Sequence, residues 1–179
     1  MENQVSKYMH VSKLDAGKRQ LEFAIKHFLN YSDIVVIHSL ASAAHEIFND
    51  LAKKQGIESV IEGLKNRVRP EKKKELIDKL NEAKNFFKHA DKDENGILKF
   101  IPAQTEYLLL DACNLYTSLT HENPALIFAY KAWFFCKHPD ILEIEEQQEK
   151  YRELNKIMPH ADRNQFLEAV PHLDKKLMS

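Results

Sequence analysis

Glycine and proline are scarce in this chain, with 4 and 6 copies among 179 residues. Sheets need many tight turns, and tight turns use these two residues, so their scarcity argues against an all-β fold and favours long helices. The two cysteines, Cys113 and Cys136, are too few for a disulfide framework, and both lie in apolar helical stretches. We therefore expect both to be reduced residues of the core.

Long apolar runs are also lacking. The most apolar segment, residues 125–136, carries Lys131 and is too short to span a bilayer. The opening MENQVSKYMHVSKLD has no apolar core of the kind that a signal peptide carries. We therefore expect a cytoplasmic protein with no membrane partner. The formal net charge of -1 disfavours a general nucleic-acid binder, although the basic run KNRVRPEKKK at 65–74 leaves a local contact open.

Apolar residues recur at helical spacing along most of the chain, and 44% of residues are hydrophobic. This pattern predicts an all-α fold, a single-domain helical bundle of about five to seven helices over 1–179. Its core is expected at about 12–158, followed by a short helix and tail at 159–179. Ser12 and either Ser32 or Asp33 are the expected caps of the first two helices, and Pro70 suits a first helical turn.

The helix expected over 124–138 is apolar on nearly every side, because it contains ALIFAYKAWFFC. Such a helix is central in a bundle or lies at a subunit interface. The next helix, expected over 140–157, offers only a thin apolar stripe. One molecule of this size would have little surface to cover both, so we predict a homodimer.

The strongest local signal is KNFFKHADKD at 84–93, near the end of the helix expected over 70–89. Lys84, Asn85 and His89 place a cation, an amide and an imidazole near one helix end. The imidazole can exchange protons near neutral pH, while the amide and the cation can hold a phosphate. The structural alternative is that Asn85 and His89 finish the helix and His89 meets its C-terminal dipole.

The sequence up to about residue 120, and KNFFKH above all, resembles the HEPN superfamily of prokaryotic helical bundles. The family motif is an Arg, often followed by Asn, and then a His after four to six intervening residues. Here Lys84 stands in place of the Arg, and a lysine lacks the planar fork that suits phosphate. NFFKHAD and IHSLASAAHEI also resemble a group of uncharacterised bacterial proteins of similar length.

The resemblance implies a HEPN-like core and catalytic roles for Lys84, Asn85 and His89. It implies metal-independent RNase or RNA-binding activity in a defence or toxin–antitoxin context, with no cofactor. It also implies a dimer with both motifs facing one cleft, although other members of the superfamily are inactive binding partners.

A polar stripe of His38, Ser42, His45 and Asn49 follows one edge of the apolar arc of the helix expected over 34–54. The two histidines are two turns apart, too far to hold one metal from a single helix. A metal would have to join His38 to side chains of neighbouring helices, and hydrogen-bonded histidines at a helix boundary are the simpler interpretation. The candidate binding residues, with no metal assigned, are His38, His45, Asp91 and Asp111.

The segment DKDENGIL at 91–98 resembles the start of a calcium-binding EF-hand loop. The match ends at Pro102, which stands where a bidentate Glu is required, so a turn between helices is the better interpretation. Three functions stay open: an RNA-directed protein, a non-catalytic bundle that binds a partner protein, and a metal-dependent protein using His38, His89 and Asp91. If the helices over 34–54 and 70–89 are antiparallel neighbours, we expect His38, Asn85 and His89 to share one cleft.

Overall fold

The computed structural model describes residues 8–91, 94–157 and 162–177. Of the residues described, 76% are helical and none lies in a strand, which confirms the all-α prediction. They form eight α-helices, one more than the upper end of the predicted range, with a 3₁₀ turn at Pro139–Ile141. The helices are α1 (Lys13–Leu29), α2 (Ile34–Lys53), α3 (Val60–Arg67), α4 (Pro70–Lys88), α5 (Ala103–Thr120), α6 (Ala125–Lys137), α7 (Glu145–Ile157) and α8 (Arg163–Leu177).

Local sequence signals set where the first helices begin and end. The Ser12 hydroxyl accepts a hydrogen bond from the Asp15 amide at 3.0 Å, which satisfies a free donor of the first turn of α1. Asp33 does the same for α2, since its Oδ1 accepts from the amides of Val35 and Val36, each at 3.0 Å. Gly56 adopts φ +72 just beyond α2, a conformation that suits glycine, and the chain then turns towards α3.

The core lies among α1, α2, α5 and α6, which contribute its largest fully buried side chains. Helices α1 and α2 approach closely at Gly17, where an added Cβ would lie 2.6 Å from the Phe48 ring. The Phe28 ring meets those of Tyr130 and Trp133 edge-on, at centroid distances of 5.7 and 4.9 Å. These packed aromatic rings supply much of the apolar area that folding removes from water.

Helix α6 is central within the single chain. It packs against α1, α5, α7 and α8, and its buried residues include Ile127, Tyr130 and Phe134. Most of its apolar surface is therefore covered within one chain, although Phe128 is 43% exposed. The apolar character of α6 thus no longer requires a second subunit. The homodimer itself stays a prediction. Cys113 and Cys136 are free and buried, as expected for core residues.

The final helix is longer than the sequence suggested. The short helix expected within 159–179 spans Arg163–Leu177 and continues through Pro171. Phe166 is 5% exposed and joins the core, and Leu167, Val170 and Leu173 pack against it. Because this apolar spacing continues on both sides of Pro171, packing against α6 and α1 holds the helix together where local preference would end it.

The α3–α4 hairpin is attached lightly to the rest of the molecule. Helix α3 has no buried residue, and Ala83 is the buried residue of α4. A space therefore remains between this hairpin and the helices α2 and α5 beneath it. No helix in the described part of the chain is both long enough and apolar enough to cross a membrane.

Candidate functional site

A groove of about 750 Å³ lies between the α3–α4 hairpin and the α2 and α5 helices, and we call it the hairpin groove. Its walls are largely apolar. Its floor is polar, because the predicted stripe of α2 faces into it together with side chains of α5. The apolar wall residues include Val60, Ile61, Leu64, Leu76, Leu80 and Leu108, and the floor residues are His38, Ser42, His45, Asn49, Asp111 and Asn114.

Asp111 joins three elements at the groove floor. Its Oδ2 lies 2.8 Å from Nε2 of His45, while its Oδ1 accepts from the Val60 amide at 2.9 Å and its Oδ2 from the Ile61 amide at 3.3 Å. These two amides are free donors of the first turn of α3, where a carboxylate is favoured. His45 and Asp111, which were predicted from the sequence to be binding residues, therefore attach α3 to the bundle.

The electrostatics of Asp111 follow from this arrangement. Burial acts to raise the pKa of its carboxyl, but the hydrogen bond and charge of His45 and the amides of Val60 and Ile61 outweigh burial, so the pKa is lowered. Asp111 therefore carries its charge in the folded protein, at a position where only 3% of the residue is exposed. A buried carboxylate of this kind is stable only while its partners stay in place.

His38 lies at the other end of the polar stripe, enclosed by aromatic rings. Its Nδ1 shares a hydrogen bond with the Thr105 hydroxyl at 3.0 Å, and the rings of Phe87 and Phe100 meet it edge-on at 5.8 and 5.1 Å. Desolvation by burial lowers the pKa of His38 from 6.5 to about 4. The imidazole is therefore neutral at pH 7, and one of its nitrogens is already committed to Thr105.

We expect the wild type to lose about 1.5 kcal/mol of stability through His38 between pH 6.5 and 5. The unfolded chain takes up a proton near pH 6.5 while the folded chain keeps His38 neutral until about pH 4, so lowering the pH favours unfolding. Urea unfolding at several pH values should show a flatter dependence for His38→Gln. His89→Gln, which changes the exposed histidine that caps the end of α4, is the matched control and should retain the wild-type slope.

Two ion-paired carboxylates line the groove at its rim. Glu46 of α2 is hydrogen-bonded to Lys84 of α4 and lies 3.5 Å from Lys88. Glu62 of α3 binds Lys65 at 2.8 Å and lies 3.5 Å from Lys53. Burial acts to raise the pKa of Glu46, but Lys84 and Lys88 outweigh it, so the pKa is lowered. The Glu46–Lys84 pair holds α4 to α2, which explains how Lys84 is tolerated within the apolar arc of its helix.

The predicted motif residues lie on two sides of α4. Lys84 lines the hairpin groove with His38, His45 and Asp111, whereas Asn85 and His89 line a separate pocket of about 420 Å³. Neighbouring positions on a helix point about 100° apart, so Lys84 faces α2 while Asn85 faces away from it. The expected cleft shared by His38, Asn85 and His89 is therefore not found in the described part of the chain.

The second pocket, which we call the motif pocket, is formed by the end of α4 and the segment that follows it. Asn85 and His89 lie one turn apart on its wall, with Phe86 between them in sequence and residues 96–98 opposite. Both polar side chains are exposed. The backbone amide of His89 donates to the Asn85 carbonyl at 3.0 Å, so His89 also serves as the C-cap of α4, as the structural alternative required.

Asp91 is exposed and lines neither pocket. The calcium-like loop that it begins includes residues 92 and 93, which lie outside the described residues. Among the residues that are described, no group of three His, Cys, Asp or Glu side chains is placed to hold a metal ion. The interpretation that joined His38, His89 and Asp91 to one metal has no geometric support there.

Sequence reasoning missed the most heavily paired carboxylate of the described chain. Glu106 of α5 is 5% exposed and meets Lys137 at 2.8 Å, His138 at 3.3 Å and Arg163 at 3.7 Å. The Arg163 guanidinium stacks on the Phe28 ring at 3.8 Å. Glu106 thus connects the start of α5 to the end of α6 and the start of α8. Its position in the first turn of an apolar helix was the available signal, because a buried charge requires partners.

Asn49 is the polar floor residue with an unmet hydrogen-bonding need. The residue is 9% exposed, and its Oδ1 is buried without a hydrogen-bond partner in the described part of the molecule. Buried polar atoms are nearly always paired in native proteins, so such an atom calls for an explanation. Asn49 lies one helical turn from His45 on the floor of the hairpin groove.

Comparison of this chain with protein-family models, with curated proteins and with solved structures found no match.

Proposed function

We propose that this protein is a cytoplasmic, non-catalytic binding protein that takes a small, neutral organic ligand in the hairpin groove. The observation that carries the proposal is a concave site with apolar walls and a polar floor. Ligand pockets in proteins have typical volumes of about 300–1,000 Å³ and combine apolar walls with a few placed polar groups. The 750 Å³ of the hairpin groove lies within that range. The two free, buried cysteines are in keeping with a reducing compartment.

The charges around the groove favour a neutral ligand over a polyanion. Three lysines, at positions 65, 79 and 84, face four acids, at positions 46, 50, 62 and 111. Lys65 and Lys84 are already paired with Glu62 and Glu46. A groove without excess positive charge does not attract the phosphates of a nucleic acid. The two histidines of the polar floor are likewise engaged by internal bonds, His45 with Asp111 and His38 with Thr105.

Exposed apolar side chains in the walls give the ligand its binding energy. Leu64 is 48% exposed and Leu80 is 38% exposed. Burying such side chains against a ligand is favourable in proportion to the apolar area removed from water. The lightly attached hairpin allows the walls to adjust, since elements with few buried contacts open at low free-energy cost.

Indole is a suitable neutral aromatic probe for this groove. We expect it to bind with a Kd of about 1 mM, the range for a fragment of this size. Amide resonances of α3, α4 and the groove face of α2 should shift in a nuclear magnetic resonance titration. Leu80→Glu, which places a charge in the wall, should weaken binding at least fivefold.

The matched control is Val36→Glu, because Val36 is 54% exposed on α2 and does not line the groove. The Val36→Glu variant should bind indole with the same affinity as the wild type. Equal weakening by both variants, or shifts spread over the whole surface, would count against a groove site.

A second candidate function is the RNA-directed activity that the HEPN resemblance implies. The observation in its favour is that Asn85 and His89 line one exposed pocket and so are available to a large ligand. Ile97 beside them is 97% exposed, an apolar side chain that a second copy of the chain or a partner protein would cover. Lys84 weighs against catalysis, because it is engaged by Glu46 on the other side of α4.

For this candidate we expect single-stranded RNA to be cleaved by the wild type in the presence of a chelator, and not by His89→Ala. Because His89 is exposed, the variant should melt within a degree or two of the wild type. His10→Ala, which alters another exposed histidine, is the control and should retain cleavage. If the wild type does not cleave RNA, the RNase hypothesis is eliminated, and the proposal of a ligand-binding groove is unaffected.

A further inference from the structure

We infer that the ligand of the hairpin groove is an adenine-type heteroaromatic, recognised through the carboxamide side chains that line the groove. This inference rests on the proposed function and names the chemistry of the same site. Three observations support it: four carboxamides in the lining, an exposed aromatic ring at the edge, and the unpartnered amide oxygen of Asn49.

Four carboxamides line the groove, contributed by three different helices. They are Asn49 on α2, Asn81 on α4, and Gln104 and Asn114 on α5. A carboxamide offers a donor and an acceptor side by side, without charge. This pair matches the N6 amino group and the N7 atom of adenine, which Asn and Gln bind in a bidentate manner. Most of the charged groups in the lining are instead engaged, Glu46 by Lys84, Glu62 by Lys65 and Asp111 by His45, so the carboxamides are the main neutral hydrogen-bonding groups offered to a ligand.

Tyr107 provides a surface on which a flat ring can stack. The residue is 48% exposed and lines the groove, and its ring is held from behind by Phe134 at 5.4 Å and His138 at 5.7 Å. A ring fixed in this way loses little freedom when a ligand stacks on it. Stacking on an aromatic side chain together with hydrogen bonding at the ring edge is the usual way in which proteins hold a free base.

The side-chain oxygen of Asn49 is a hydrogen-bond acceptor that a ligand could use. The residue is 9% exposed on the groove floor, and its Oδ1 is buried and unpartnered among the described residues. The torsion about the Cβ–Cγ bond of asparagine is broad, so the amide can turn its oxygen towards an N–H group of a ligand. A bound N6 amino group would then satisfy an atom that is otherwise buried without a hydrogen bond.

Adenosine and N6,N6-dimethyladenosine are the matched probes, since the second keeps the ring and the sugar but lacks both N6 donors. We expect the wild type to bind adenosine about tenfold more tightly than the dimethyl compound in calorimetric titrations. Asn49→Leu and, separately, Asn114→Leu should reduce that preference to less than threefold. Asn95→Leu, which removes an exposed carboxamide outside the groove, is the control and should retain the full preference.

The outcomes separate this inference from the proposed function. Equal binding of the two nucleosides, or no binding of either while indole still binds in the groove, would overturn the adenine assignment and leave a groove-binding protein. Failure of indole and both nucleosides to bind would overturn both. A preference for adenosine that survives both Asn49→Leu and Asn114→Leu would also overturn the inference, because the carboxamides would then not be its source.

Discussion

Asp111→Ala is expected to lower the free energy of unfolding by about 3 kcal/mol, because it breaks a buried charged contact and leaves its partners in place. His45 would lose the carboxylate 2.8 Å from its Nε2, and the Val60 and Ile61 amides would lose their acceptor. Since α3 contains no buried residue of its own, this contact is its main buried attachment, beside the partly exposed Lys53–Glu62 pair. Urea unfolding measures the loss, and hydrogen exchange should rise first at the amides of α3.

The conservative variant Asp111→Asn keeps an oxygen for the Val60 amide but removes the charge, so a loss of about 1–2 kcal/mol is expected. Asp50→Ala removes an exposed acid from the rim of the same groove and should change stability by less than about 0.5 kcal/mol. If Asp111→Ala unfolds at the wild-type urea concentration and the exchange of α3 is unchanged, Asp111 is not the anchor of that helix.

Glu106→Leu is expected to destabilise the protein by about 3 kcal/mol, since it strips a buried carboxylate away from its basic partners. Lys137 has a side chain that is 40% exposed and can turn to water, which keeps the cost at the lower end of the usual range. Arg163 has less freedom, because it is packed on Phe28 and its side chain is 22% exposed. Thermal and urea unfolding measure the loss, and α8 should exchange faster than α1 in the variant.

A double variant tests whether the loss comes from an unpaired buried charge. Glu106→Leu combined with Arg163→Met removes both charges and keeps apolar contact with Phe28, so we expect it to recover about half of the stability lost by Glu106→Leu. Glu149→Gln, which affects an exposed pair with Arg152, is the surface control and should cost less than about 1 kcal/mol. Additive losses in the double variant would contradict a coupled pair.

Part of the candidate site can be predicted from the sequence, provided that the direction of each side chain around its helix is considered. Lys84 and Asn85 were treated as one motif because they are adjacent in the chain. The helical rotation of about 100° between neighbours already places them on different faces, and the structure puts them in two pockets. The polar stripe on α2 was predicted from the positions of its residues around the helix axis, and in the structure it lines the hairpin groove.

The helices themselves were determined by the sequence, because the forces that form them are local. Ser12 and Asp33 cap helices through amides two or three residues away, and apolar spacing selects the buried faces. The end of α8 is an exception, since Pro171 argues locally for a stop while Phe166 and Leu173 hold the helix against the core.

Only the tertiary structure decided which polar side chains meet. Asp111 lies 51 residues from the amide of Val60, and Glu46 lies 38 residues from Lys84. No periodicity within one helix specifies such pairs, because they depend on how helices are rotated and offset when their apolar faces pack. The role of Glu106 does not follow from α5 alone, because its partners Lys137 and Arg163 come from the end of α6 and the start of α8. The sequence by itself determined the helices and their buried faces, whereas packing between them created the groove and its pairs.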